Sequence, residues 1–254
     1  MPFTPDWRAP EGLLTSRVIA ITGAGAGIGR SAALAFAAAG ATVLLLGRTQ
    51  AKLEAVFDQI VDAGDPEPII QAVNLAGLTR DDGAQLAHAI DAQFGRLDGL
   101  LHNASVLGPR VPLAAYDPDA WQEVIATNLN SNFLLTQAML PLLEAGTSPL
   151  VLFTGSGAGL RPRAYWGAYA VSKAGIEALM KVFADESEHL SPVRFASLNP
   201  GGTRTAMRAA AFPGEDPDTL PTPADLMPLY LWLFGESGAE ISGETIEARK
   251  WLGL

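Results

Sequence analysis

Residues 17–40 read RVIAITGAGAGIGRSAALAFAAAG, and three signals are fused in them. Arg17 to Thr22 is an apolar run without polar alternation, which predicts a strand buried on both faces. Ser31 to Gly40 is a run of small and apolar residues that predicts a helix. The glycines between them do not fit G-x-G-x-x-G, because counting from Gly25 ends on Arg30 and counting from Gly23 ends on Ile28. They fit G-x-x-x-G-x-G as Gly23, Gly27 and Gly29, with Ile28 inside the turn. Glycine there allows a tight turn and a close backbone approach, and the helix N-terminus offers unpaired N–H groups suited to a pyrophosphate.

The same alternation continues outward. TVLLLG (42–47) precedes the charged helix QAKLEAVFDQIVDAG, and PIIQAV (68–73) precedes GAQLAHAIDAQFG. LDGLLHNAS is followed by a long helix from about Ala120 to Leu143, and PLVLFTGS by a helix carrying Tyr169. VRFASLNPGG leads into an irregular stretch, ADLMPLYLWLFG reads as the last helix, and GETIEA as a short final strand. Short apolar runs alternating with helices predict an α/β chain, a Rossmann-type doubly wound parallel sheet of about seven strands with helices on both faces. No linker or repeat interrupts it, so residues 1–254 read as a single domain, with a substrate-side lid around 200–222. In such sheets ligands sit beyond the carboxyl ends of the strands. Thr22 and Gly23, Gly47 and Arg48, His102 to Ser105, Thr154 to Ser156, and Asn199 to Gly202 are therefore expected to converge on one cleft.

Composition excludes other classes. The net charge of -10, with no Lys/Arg-rich stripe, argues against nucleic acid as a partner. With no cysteine, disulfides, thiol chemistry and thiolate metal sites are impossible. His88, His102 and His189 are widely separated, so no metal is expected. The N-terminus MPFTPDWRAPEGLL has acids and prolines and no apolar run, which does not resemble a secretory signal. No apolar stretch is long enough to span a bilayer. A cytoplasmic protein is the expectation.

The end of the second strand discriminates between nucleotides. NAD-binding folds usually carry Asp or Glu about 20 residues past the glycine turn, bonding the ribose 2′-OH. Here the place reads Gly47, Arg48, Thr49. A guanidinium and a hydroxyl suit a 2′-phosphate. NADP(H) is the preferred cofactor, with NAD(H) possible.

Tyr169 and Lys173 stand four apart, on one face of the predicted helix. A free phenol has a pKa near 10, and a neighbouring ammonium favours the phenolate, bringing it toward the range useful for proton transfer. Ser156 lies thirteen residues earlier, at the end of the fifth strand, and Asn128 lies within the long helix. Together TGAGAGIG, HNAS, the Asn-Leu pair at 128–129, Ser156, Tyr169-x-x-x-Lys173 and NPGGTRT resemble the short-chain dehydrogenase/reductase family over nearly the whole chain. The closing segment from Asn199 to Leu233 is similar to the YciK-type bacterial oxidoreductases. The resemblance implies that Tyr169 exchanges a proton with the substrate oxygen, Ser156 holds that oxygen, and Lys173 also binds the nicotinamide ribose. It implies that Asn128 fixes a helix kink that keeps a relay water beside Lys173. It further implies that Asn103 and Ala104 line the adenine ribose, and that Thr203 and Thr205, after Pro200 and Gly201, meet the carboxamide and phosphates.

Two positions depart from the family pattern. Asn74, followed by Leu75, replaces the Asp that bonds the adenine amino group, though an amide carbonyl still accepts there. Ser105 replaces the last glycine of the NNAG motif. Arg161 and Arg163, and Arg204 and Arg208, lie in stretches without acids that should border the substrate cleft. They suggest an anionic carbonyl or alcohol substrate, or else structural ties to loops. Trp166 and Phe212 could supply apolar walls. The resemblance implies pairing through the two long helices into a homodimer or homotetramer, with Phe133, Ile176, Leu179 and Phe183 as apolar contributors. A non-catalytic nucleotide-sensing or scaffolding protein on this fold is the alternative. It would need the glycine turn but not Ser156, Tyr169 and Lys173.

Overall fold

Seven parallel strands make one sheet in the computed structural model: β1 (Val18–Thr22), β2 (Thr42–Gly47), β3 (Ile69–Ala72), β4 (Gly99–His102), β5 (Leu150–Thr154), β6 (Arg194–Asn199) and β7 (Thr245–Glu247). Their order is β3-β2-β1-β4-β5-β6-β7. The order reverses between β1 and β4, which pair through Ile19 with Gly99 and Ile21 with Leu101. The structure describes residues 3–254; Met1 and Pro2, where the stretch read as no secretory signal begins, lie outside the described residues.

The strands read as unbroken apolar runs because both faces are covered. Ile19, Ile21, Val43, Leu45 and Leu152 point into one core. That core is shared with α1 (Gly27–Ala38), α2 (Gln50–Asp62) and α9 (Met227–Phe234). Val18, Ala20, Leu44, Val151 and Phe153 point into the other. It is filled by α3 (Arg80–Phe94), α5 (Ser131–Glu144) and α7 (Gly167–Ser187). At the opposite end from the cleft, the buried Asp98 carboxylate accepts from the Val18 and Thr147 backbone N–H groups at 2.8 and 2.6 Å. This stitches together the starts of β1, β4 and β5.

The predicted long helix from Ala120 to Leu143 is three pieces. α4 (Pro118–Ile125) runs into a π-helical turn, Ala126–Asn130, and then into α5. Asn128 lies inside the turn and its side chain explains the local widening. Its amide nitrogen donates to the Val106 carbonyl at 2.9 Å, and its Oδ1 accepts from the Val106 N–H at 2.8 Å. It thereby replaces a strand neighbour for the chain leaving β4.

His102 is fully buried, stacked on Phe153 and 2.9 Å from the Thr136 hydroxyl, and burial lowers its pKa to about 3. It is a neutral core histidine. Among the described residues no group of three or more His, Cys, Asp or Glu side chains could hold a metal, and no helix is long and apolar enough to cross a membrane.

Candidate active site

The carboxyl ends of the strands open onto one cleft of about 460 Å³. The turn after β1 supplies Gly23, Gly27 and Ile28; the end of β2 supplies Arg48 and Thr49; Asn74 and Leu75 follow β3; Asn103 and Ala104 follow β4. Ser156, Tyr169 and Lys173 line it beyond β5, and Pro200, Gly201, Thr203 and Thr205 beyond β6. Gly29 and Asn128 stand behind the wall, where they shape it without lining it.

The glycine turn is a cradle cut to backbone dimensions. A β carbon on Gly29 would overlap both the Asn103 amide nitrogen and the Gly23 carbonyl oxygen. Thr22, buried at the end of β1, accepts from the N–H groups of Asn103 and Ala104 at 2.9 and 3.0 Å through its hydroxyl. The Asn103 side chain donates to the Thr22 carbonyl at 3.1 Å. These bonds hold the β1 and β4 ends together at the point where the strand order reverses, the place where open α/β sheets take dinucleotides. With α1 starting immediately after, the residues fit a pyrophosphate.

At the other end of the nucleotide track, Arg48 is largely exposed, its nearest carboxylate being Glu123 at 3.9 Å. An exposed pair that loose is worth little, which leaves the guanidinium available. Lys52, one helical turn on, also lines the cleft. It was not singled out from the sequence, although its spacing of four from Arg48 was a usable signal. Asn74 is partly committed: its Oδ1 accepts from the Ala76 N–H at 3.3 Å, capping a short turn, so the acceptor expected for an adenine amino group is shared with the backbone.

Tyr169 is 8% exposed, with its ring 5.7 Å from that of Trp166. Ser156 begins a short turn, α6 (Gly157–Leu160), accepting from the Ala158 N–H at 3.2 Å. Lys173 is buried and donates to the Thr154 carbonyl at 2.7 Å. Burial pushes the Tyr169 phenol up from its ordinary value, and the Ser156 hydroxyl works against it. Lys173 places its Nζ 5.7 Å from the centre of the Tyr169 ring. Its ammonium is held on Thr154, and burial lowers its own pKa to about 8, with Glu177 opposing the fall.

The arginine expectations are corrected in part. Arg161 and Arg163 are exposed and do not line the cleft. Arg208 does line it, but Glu215 holds its Nε and Nη2 at 2.6 Å each, and Arg204 pairs with Asp218 at 3.1 Å. The acids arrive from the loop after α8 (Ala206–Ala211), which the local stretch did not reveal. Arg110, unnoticed in the sequence, stacks over Trp166 at 4.7 Å and Phe212 at 5.4 Å and donates to the Ala211 carbonyl. Trp166 and Phe212 do form an apolar wall beside Tyr169. Of the expected pairing residues, Ile176 is buried, and Leu179 and Phe183 pack on the second core; Phe133 is 41% exposed.

Comparison with known proteins matches residues 17–216 to the family model described as short chain dehydrogenase. The oxidoreductase YciK of Escherichia coli (strain K12) is 46% identical over 243 residues, covering 96% of both chains. A short chain dehydrogenase from Shigella flexneri 2a, solved in complex with NADP, superposes with a TM-score of 0.92 at 47% identity, covering 94% of this chain and 100% of that one. One from Escherichia coli CFT073, solved with NADPH, gives 0.91 at 48% identity with the same coverage.

Proposed function

The chain belongs to the short-chain dehydrogenase family, and on that footing we propose that it is an NADP(H)-preferring oxidoreductase, moving a hydride between nicotinamide and a small carbonyl or alcohol substrate. The observation that carries this reading is the meeting of the glycine cradle, Arg48, Ser156, Tyr169 and Lys173 in one cleft. The relatives solved with NADP and NADPH support the cofactor. Family membership gives the non-catalytic alternative no support. The site is one dinucleotide-binding unit covered on its substrate side by residues 200–222, and a cytoplasmic setting suits it.

A bound NADP(H) supplies or accepts the hydride. The proton is the chain's work. The Tyr169 hydroxyl exchanges it with the substrate oxygen, and the Ser156 hydroxyl holds that oxygen. Lys173, fixed on Thr154, favours the phenolate and would hold the nicotinamide ribose. Asn128 shapes the turn that backs Ser172, whose hydroxyl it meets at 3.1 Å. Trp166 and Phe212 suit a substrate with an apolar body. A carbonyl library read by NADPH absorbance identifies it.

Cofactor choice is tested by dissociation constants at fixed salt. A charge-assisted hydrogen bond from Arg48 is worth about 1.5–3 kcal/mol, so NADPH should bind roughly ten- to a hundredfold more tightly than NADH. Gly47→Asp with Arg48→Ile should invert the order. A β carbon at 47 would come within 3.1 Å of a methyl of the buried Leu53, which must give by a few tenths of an ångström, so the melting temperature of the double variant is read alongside. A double variant that still prefers NADPH removes Arg48 as the selector.

A homodimer or homotetramer is proposed on the apolar side chains left exposed along α5 and α7: Phe133, Val171 and Val182, at 41%, 47% and 54% exposure. Light scattering at micromolar concentration should return at least twice the chain mass, and Val171→Glu with Val182→Glu should return the monomer.

A further inference from the structure

Glu177 is 7% exposed, on α7, and no step described so far uses it. Its Oε2 accepts from the Ser197 hydroxyl on β6 at 2.7 Å and from the Thr245 hydroxyl on β7 at 2.5 Å. Its Oε1 is buried and has no hydrogen-bond partner among the described residues. Carboxylates are seldom buried this deeply without a compensating charge. Two neutral hydroxyls do not supply one.

The compensation stands one helical turn back. Residues four apart on a helix share a face, so Tyr169, Lys173 and Glu177 form one stack along α7. Both charged members end on consecutive residues of the β5 terminus. Lys173 donates to the Thr154 carbonyl, and Glu177 Oε1 lies against Gly155, where a β carbon would come within 2.6 Å of it. Gly155 is the notch that lets the carboxylate approach the lysine's anchor. The other groups around the stack are neutral: Ser197 from β6, Thr245 from β7, and the Asn128 amide from the π-helical turn. The Glu177 charge acts on Lys173 against its desolvation.

We propose that Glu177 is a positioning residue for this site: its buried carboxylate keeps the Lys173 ammonium charged beside Tyr169. The inference rests on the oxidoreductase reading for its purpose, because only a charged Lys173 can favour the phenolate. The electrostatics are independent of that reading. Desolvation pulls the Lys173 ammonium toward neutrality and the carboxylate resists this.

The chain has only four lysines, Lys52, Lys173, Lys181 and Lys250, so isotope-labelled lysine gives a spectrum simple enough to titrate each side chain by NMR. Lys173→Met assigns the buried signal. In the wild type Lys173 should titrate near 8. In Glu177→Gln, which keeps an acceptor for Ser197 and Thr245 but loses the charge, the midpoint should fall by about one unit or more. That is at least a tenfold rise in the neutral-to-charged ratio at a given pH, with Lys52 and Lys250 unmoved. Glu177→Met, with no amide to bury, is the second neutral variant should the first fail to fold. A Lys173 midpoint that stays in place in a folded variant overturns the proposal, and a loss of thermal stability alone counts against it. The titration needs neither substrate nor nucleotide. If Lys173 shifts and the wild type nonetheless reduces no carbonyl compound, the oxidoreductase reading fails and the electrostatic assignment stands.

Discussion

Tyr169→Phe should lower turnover by about two to four powers of ten, the range supplied by a positioned general acid, while NADPH affinity and melting temperature stay near wild type. The reason for separating the effects lies in the packing. The ring contributes its faces to Trp166 at 5.7 Å, and phenylalanine preserves them. The hydroxyl is the only atom removed, and its burial already disfavours the ionised form. Measurement requires the best substrate from the carbonyl screen, single-turnover rates, and NADPH binding by fluorescence. A variant that kept more than about a tenth of the wild-type rate would end the assignment of Tyr169 as proton donor.

Gly29→Ala should abolish measurable NADPH binding and destabilise the fold together. Its β carbon would lie inside the Gly23 carbonyl oxygen and the Asn103 amide nitrogen. Overpacking of this kind typically costs about 1–3 kcal/mol, which in a chain of this size lowers the melting temperature by roughly 2–4 °C per kcal/mol. Shortening the side-chain neighbour should not rescue it. Asn103→Ala removes one obstacle, but the backbone carbonyl of Gly23 remains. Calorimetry on both variants distinguishes the cases: a double variant that regained wild-type affinity would show that the amide, rather than the turn's backbone, set the limit.

Much of this was legible in the sequence because the signals were of the kind that sequence carries. Unbroken apolar runs give a two-sided sheet, and the glycine spacing gives the turn after β1. The fixed offsets among Ser156, Tyr169 and Lys173 mark residues that lie together in the cleft. What escaped reading depended on distant partners. Glu177 looks like one more solvated charge in GIEALMK, because nothing nearby shows that β6 and β7 will cover it with Ser197 and Thr245. Arg204 and Arg208 looked uncompensated because Asp218 and Glu215 come from a loop that folds back. Arg110 acquires meaning only once Trp166 and Phe212 are brought beneath it. Of the apolar positions on the two long helices, some of which had to be core, Ile176 is the buried one; helical period alone does not say which apolar stripe faces the sheet.

The widened turn at Ala126–Asn130 also leaves its mark on how this chain can change length. Each residue of an ordinary helix advances about 100° around the axis. A π-turn takes up one residue more than an α turn over nearly the same rotation, so deleting one residue here would close the helix into regular form and leave its flanking faces nearly in place. What would be lost is the seat of Asn128 against Val106, while Leu135 and Met139 would stay in the core. Single-residue insertions and deletions in the regular turns of 118–144 have no such slack and should be barred, whereas the exposed Gly64 and Gly214, where an added β carbon meets nothing within 4 Å, should tolerate them.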